Sequence, residues 1–291
     1  MVHWRQMDTA LPRALAETSS EERRPLVYRH SLTVRVTHWL SALALVVLVM
    51  SGLQIFNAAP YLDASDKSDP HHRVLEFTAR SLPGGATEGV TILFGHALRT
   101  THLLGYTDDG QGGETNRAFP GWLTLPGYQA LADGRRWHFF FAWIFTLCGA
   151  IYIIVGLLRR DLQELVLRRS DLPKLWPMQA YYLRLRSDPP SHGKYNPLQK
   201  LAYTLIIFVF APLVVISGLA LSPGIDAIAG PLTTAFGGRQ FARLWHFVFM
   251  LALLGFFAVH LALVTSTGVI NNMRSMILGT YRLGKHDGVG P

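Results

Sequence analysis

The sequence predicts an all-α fold: an integral membrane four-helix bundle, N-in/C-in, with a long outer loop between the first and second helices. Three observations predict it. Four runs of 20 residues or more contain no Asp, Glu, Lys or Arg: Val36–Leu62, Trp137–Leu158, Leu201–Ile225 and Leu244–Met273. Charged residues make up only 16% of the 291 and hydrophobic ones 49%, whereas an average soluble domain carries roughly 25% charge. The basic residues are also distributed unevenly between the segments that join the four runs.

A helix crossing a hydrocarbon core of about 30 Å needs roughly 20 apolar residues, and in lipid the backbone must satisfy its own hydrogen bonds, which favours helices. Membrane helices are expected at about 34–56, 137–158, 200–222 and 244–267. They form one domain, 29–283, between a cytoplasmic N-terminal extension, 1–28, and a tail, 284–291. The first run follows about 35 mostly polar residues and is too long for the apolar region of a signal peptide, so it reads as an uncleaved anchor. With the N-terminus inside, 18 of the 27 Lys and Arg fall on inner segments and nine on outer ones, as the positive-inside rule requires. The net charge of +8 is thereby assigned to flanks beside anionic lipid. No basic motif interleaved with aromatics points to nucleic acid.

Between the first two runs, residues 63–135 form the long outer loop, with glycine turns at Gly84-Gly85 and Gly110 to Gly113. Within it, Val90–Leu104 reads as a short helix at the interface, and FPGWLTLPGY, with Pro120, Trp122 and Pro126, as a cap packed on the membrane surface. Residues 159–200 form a basic inner loop punctuated by Pro173, Pro177, Pro189 and Pro190. No internal repeat or low-complexity tract stands out.

One cysteine, Cys148, excludes a disulfide framework, a thiolate zinc site and an iron–sulfur cluster held by this chain alone. No C-x-x-C-H occurs, so haem is not attached covalently in the c-type manner. Cys148 itself reads as a small packing residue. The twelve histidines are the metal-binding resource. Four lie in or at the edge of the apolar runs: His38, His138, His246 and His260. Ionisable groups inside a membrane are costly and mark function. His246 and His260 are 14 residues apart, which is close to four turns, so they share a face about 21 Å apart along the axis. In the N-in topology His38 lies at the depth of His260, and His138 at the depth of His246. Two pairs on facing helices suit two bis-histidine haems. A proton relay or transporter site is the alternative.

Gly52 is 14 residues after His38, and Gly149 is 11 after His138. Each glycine shares a face with its histidine at the depth of the other pair, where it would give a flat macrocycle clearance. Arg135, Arg136, Arg239 and Arg243 near the outer ends, and Arg29 and Arg35 before His38, are either propionate partners or snorkelling anchors. The remaining histidines, including His3, His30, His71, His72, His96, His102, His192 and His286, read as loop residues.

The stretch RHSLTVRVTHWL, Arg29 to Leu40, resembles the opening of bacterial cytochrome b561 and nickel–iron hydrogenase b-type cytochromes. FPGWLTLPGY, GRRWHFFFAW, YNPLQKLAY, SGLALSP, FGGRQFARLWHF and RSMILGTYRL resemble the branch described as thiosulfate reductase cytochrome b subunits. The resemblance covers roughly residues 28–283. It implies a four-helix cytochrome of the plasma membrane with two haem b groups, ligated by His38 with His260 and by His138 with His246. It also implies electron transfer between a quinone and a redox partner, such as a molybdenum- or nickel-containing dehydrogenase or reductase. Arg29, His30 and Arg35 are candidates for the quinone end. The competing expectations are a stand-alone membrane oxidoreductase of the superoxide–quinone or ferric type, and a haem-free transporter or anchor.

Overall fold

The computed structural model describes residues 25–193 and 195–283. Most of the extension expected at 1–28, and all of the tail at 284–291, therefore lie outside the described residues, together with His3 and His286. The described chain falls into two compact units. One comprises residues 37–259, and the other joins residues up to Val36 with those from His260 onward.

Among the described residues, four helices are long and apolar enough to cross a membrane: Leu32–Phe56, Leu131–Leu158, Pro197–Leu221 and Arg239–Ser266. Each starts ahead of the charge-free run that announced it. The first ends before Pro60, whose ring cannot continue a helix. The third opens on a capping box. Asn196 accepts from the Gln199 amide at 2.9 Å, and the Gln199 side chain accepts from the Asn196 amide at 3.1 Å, with Pro197 at the first helical position. Midway, this third helix contains a π turn, Ile206–Phe210, where the Ala211 amide reaches back to the Ile206 carbonyl. The cause is Pro212. It has no N–H for the Phe208 carbonyl, and a wider turn absorbs the mismatch. The fourth helix follows Gly237-Gly238, both with positive φ, and is succeeded by a short helix, Val269–Ile277.

Among the described residues, eight strands accompany the helices: β1 (Leu26–Tyr28), β2 (Tyr61–Asp63), β3 (Arg73–Ser81), β4 (Thr87–Leu93), β5 (His96–Arg99), β6 (Gly105–Asp108), β7 (Glu114–Arg117) and β8 (Thr280–Arg282). In the smaller unit β1 pairs antiparallel with β8, Leu26 opposite Arg282. The chain just before the first long helix is thus hydrogen-bonded to the chain that follows the fourth.

The other six strands correct the all-α expectation. Residues 61–117 form an antiparallel sheet of order β2-β3-β4-β5 and a separate β6-β7 hairpin. The interfacial helix expected over Val90–Leu104 does not exist. Its place is taken by the end of β4, by β5 and by the turn into β6. The physical reason is local. Thr87, Val90, Thr91 and Ile92 are β-branched and favour strand. Phe94 and Gly95 both take positive φ, 48° and 81°, which is the turn a two-residue hairpin needs. Gly89 also lies so close to the Leu104 carbonyl that a Cβ there would approach it to 2.4 Å.

This lobe is built onto the C-terminal end of the first long helix. Phe56, Phe77 and Phe119 pack with centroids 5.2 to 5.9 Å apart, joined by Leu53, Leu62 and Ala118. Polar groups complete the seam. Asn57 Oδ1 accepts from the Phe119 amide at 2.8 Å. The Gln54 amide donates to the Tyr128 carbonyl at 2.9 Å. Arg117 is 1% exposed and donates to the carbonyls of Asp109 (3.1 Å) and Gly127 (2.9 Å), to Gln54 Oε1 (3.1 Å) and to Thr124 Oγ1 (3.0 Å). Burial pulls its pKa down, and Asp108 and Asp109 oppose that pull. The FPGWLTLPGY segment packs through Phe119, Pro120, Gly121 and Thr124, whereas Trp122 is exposed.

Candidate functional site

Two histidines from different helices meet inside the larger unit. His138 on the second long helix and His246 on the fourth have ring centroids 6.2 Å apart and planes inclined at 68°. Each imidazole is held at Nδ1 by a serine from a third or fourth segment of chain. Ser51 Oγ, on the first helix, lies 3.2 Å from His138 Nδ1. Ser217 Oγ, on the third, lies 3.0 Å from His246 Nδ1. Both serines are fully buried.

The hydrogen bonds assign the tautomers. Ser51 donates its one hydroxyl proton to the Val47 carbonyl at 2.6 Å, and Ser217 donates to the Val214 carbonyl at 3.1 Å. A hydroxyl whose proton is so used presents only lone pairs. Each imidazole must then donate from Nδ1. His138 Nδ1 also faces the Leu48 carbonyl at 3.1 Å, which can only accept. A neutral imidazole protonated at Nδ1 keeps its Nε2 lone pair for a metal.

The spacing suits an ion gripped between the rings. A metal–nitrogen bond of about 2 Å on each side, plus about 1.1 Å from nitrogen to ring centre, places the centroids about 6.2 Å apart. Among the described residues no group of three or more His, Cys, Asp or Glu could cage a metal. Two imidazoles alone would not complete a metal's coordination; His138 and His246 would suit a cofactor that brings its own ring nitrogens, such as a porphyrin.

Glycines make the approach of the rings feasible. A Cβ on Gly52 would stand 3.3 Å from His138 Cε1, and one on Gly218 would stand 3.2 Å from His246 Cε1. Gly52 therefore clears the imidazole of a neighbouring helix. Gly149 has nothing within 4 Å of where its Cβ would be. Ser51, Ser217 and Gly218 are additions that sequence reasoning missed. The signal was present: Ser-Gly-Leu occurs at 51–53 and again at 217–219, once on each helix that backs an imidazole.

The other predicted site residues are placed as follows. His38, in the larger unit, is half-buried with its ring edge-on to Trp39 at 5.2 Å. His260 is half-buried in the smaller unit. Arg35 donates to the Ile277 carbonyl at 2.5 Å, and Arg29 stacks on Tyr281 at 4.3 Å. Arg136 is exposed and pairs with Asp133 at 3.1 Å, and Arg135 lies over Phe139. Arg243 donates to the Ala59 carbonyl and lies over the Phe56 and Tyr61 rings. Arg239 donates to the Leu221 carbonyl at 3.1 Å. Arg243 and Arg239 thus place cations at the C-terminal ends of the first and third helices, where the helix dipole favours them. Of the remaining histidines, His72 pairs with Asp69 and His102 with Glu114.

Fold and site together define a multi-pass membrane protein in which two imidazoles from different long helices meet. Residues 29–279 match the family model described as prokaryotic cytochrome b561, and the chain belongs to that family. It is a membrane electron-transfer protein of the b-type cytochromes, whose cofactor is haem b. Similar proteins carry related names. One is a subunit, YedZ1, named for a protein-methionine-sulfoxide reductase of Azospira oryzae. It is 29% identical over 243 residues, covering 81% of this chain and 89% of the relative. Another is named as a Ni/Fe-hydrogenase B-type cytochrome subunit of Azotobacter vinelandii. It is 23% identical over 297 residues, covering 96% of this chain and 98% of the relative. A protein of the same name from Azotobacter chroococcum matches at the same identity and coverage. The family resemblance read in the sequence is borne out.

Proposed function

We propose that this chain is a di-haem cytochrome that carries electrons across the membrane between a quinone pool and the redox subunit of a respiratory oxidoreductase. His138 and His246 ligate one haem b near the outer face. His38 and His260 ligate the second near the inner face. The arginines expected at the propionates are Arg35, Arg136 and Arg243. The observation that carries the reading is the His138–His246 pair, with centroids 6.2 Å apart and both Nδ1 atoms committed to serines.

When bound, haem supplies reversible one-electron exchange at iron, and axial ligands and burial set its potential. The chain's own part is positional. Ser51 and Ser217 fix the tautomer that leaves Nε2 available. Trp137 with Phe141, and Trp245 with Phe249, stack one turn apart on the same helices. The N-in/C-in topology is supported by the excess of Lys and Arg on the inner segments. The β1–β8 pairing agrees with both flanks of the four spans lying on one side of the membrane, whichever side that is. The partner is a molybdenum- or nickel-containing dehydrogenase or reductase subunit, as the sequence resemblance implies; the relatives named for a Ni/Fe-hydrogenase and for a reductase support an oxidoreductase partner.

Pyridine haemochrome titration of the purified protein tests this. Two haems per chain are expected, one remaining in His260→Ala and one in His246→Ala. A colourless preparation from cells well supplied with porphyrin, or two haems retained in His260→Ala, overturns the reading.

A further inference from the structure

The duplicated Ser-Gly pair does more than make room. We infer that Ser51 and Ser217 are positioning residues for one and the same redox centre, and that their hydroxyl oxygens hold its potential down. This rests on the proposed ligation of haem by His138 and His246.

The geometry is matched on both sides. Ser51 reaches His138 Nδ1 at 3.2 Å and Ser217 reaches His246 Nδ1 at 3.0 Å. The residue after each serine is a glycine that faces the same imidazole at Cε1, at 3.3 and 3.2 Å from where a Cβ would be. Each serine spends its proton on a carbonyl of its own helix. Each is fully buried, so water does not compete for the remaining lone pairs. The first and third helices thus present the same two-residue device to the second and fourth.

An acceptor at Nδ1–H makes an imidazole more basic at Nε2. A more basic ligand favours the more positive metal, here ferric over ferrous iron. Two such acceptors on opposite sides of one iron add in the same direction. His138 has a second acceptor in the Leu48 carbonyl, so losing Ser51 leaves it partly served. His246 likewise has a backbone acceptor in the Val214 carbonyl, so neither imidazole depends on its serine alone.

The experiment uses the full-length protein in detergent. Spectroscopic redox titration and low-temperature electron paramagnetic resonance are recorded for Ser51→Ala, Ser217→Ala and the nearly isosteric cysteine variants, whose thiol is a weak acceptor. In Ser217→Ala the ferric-over-ferrous preference of one haem should fall about tenfold, a rise of about 59 mV for a one-electron couple. The low-spin ferric signal of that haem should move, while the other haem is unaltered. Ser51→Ala should shift the same haem in the same direction, and the cysteine variants should lie between serine and alanine. If an alanine variant sheds the haem, a cysteine variant that retains it at raised potential supports the inference. Both potentials at wild-type values in the alanine variants, or in the cysteine variants should the alanine ones lose haem, would overturn it. So would movement of different haems by the two serines. Such results leave the cytochrome assignment standing. Absence of haem from the unaltered protein instead sinks the assignment itself.

Discussion

Replacing Arg117 by methionine should loosen the lobe between the first two long helices without unfolding the helices. The side chain is 1% exposed and makes four hydrogen bonds. Not all of its acceptors suffer equally. The Gly127 carbonyl keeps a bond from Thr124 Oγ1 at 3.3 Å, and the Asp109 carbonyl sits in a loop that water reaches. Gln54 Oε1 is different, because Gln54 is 1% exposed and Arg117 is the donor that serves it. An orphaned buried acceptor costs about 1–3 kcal/mol, and lost bonds to a charged donor add to that. Methionine recovers some burial through its stem, so the net loss should be about 3–4 kcal/mol. At about 1.4 kcal/mol per tenfold, the lobe should open roughly 100- to 1000-fold more often. Native-state proteolysis of the detergent-solubilised protein reads that ratio directly when reclosing outpaces cleavage. Arg117→Lys should fall between, since one ammonium cannot span four acceptors. Combining Arg117→Met with Gln54→Leu should cost less than the two single changes together, because neither end of the Arg117–Gln54 bond is then left unmatched. Cleavage within fivefold of wild type in Arg117→Met, or strict additivity in the double variant, would refute this account of the seam.

Three further outcomes follow from the coordinates. Gly52→Ala and Gly218→Ala should each cost about 1–3 kcal/mol by overpacking and disturb the haem spectrum, while Gly149→Ala, with open space around it, should stay within about 0.5 kcal/mol; visible spectra and thermal midpoints decide. Phe56→Ala should cost about 3–5 kcal/mol, because Phe56 joins the lobe core to Phe247 of the fourth helix at 5.3 Å; the same proteolysis should report it. Asp171 accepts from the Arg168 amide at 3.0 Å and from Lys200 at 3.1 Å, and these hold its carboxyl below the ordinary value of 3.8. A lowered pKa means the ionised form is favoured by the fold. That stabilisation is complete well above pH 3.8 and fades as the pH falls through the folded-state value. Asp171→Asn should therefore be less stable than wild type at neutral pH, and the gap should narrow toward pH 3 in denaturation series.

The four spans were legible because lipid imposes one rule on a whole segment, and a charge-free run of that length has few other uses. His138 and His246 were legible as partners because helical spacing and alternating direction fix depth. Ser51 and Ser217 were not, since a serine in an apolar helix carries no cost that flags it and its role appears only when another helix brings an imidazole to it. The strands of residues 61–117 were hidden for a different reason. Most are only three or four residues long, and the four-residue β5 is exposed along its length, so no apolar alternation announces it. Arg117 reads as a surface charge until the seam closes over it.

The π turn in the third helix has a consequence for where Ser217 points. Five residues occupy the place of about four there, so everything downstream is advanced by one position, about 100° of azimuth. In an unbroken α-helix with the same N-terminal half, Ile216 would occupy the place where Ser217 now meets His246. Pro212 therefore acts as an indexing key for the rest of the helix. Deleting one residue from Ile206–Phe210 would straighten the rod and keep the hydroxyl in register, whereas exchanging Pro212 for alanine frees the rod to straighten without that compensation, and a methyl-bearing chain would then swing against the ring.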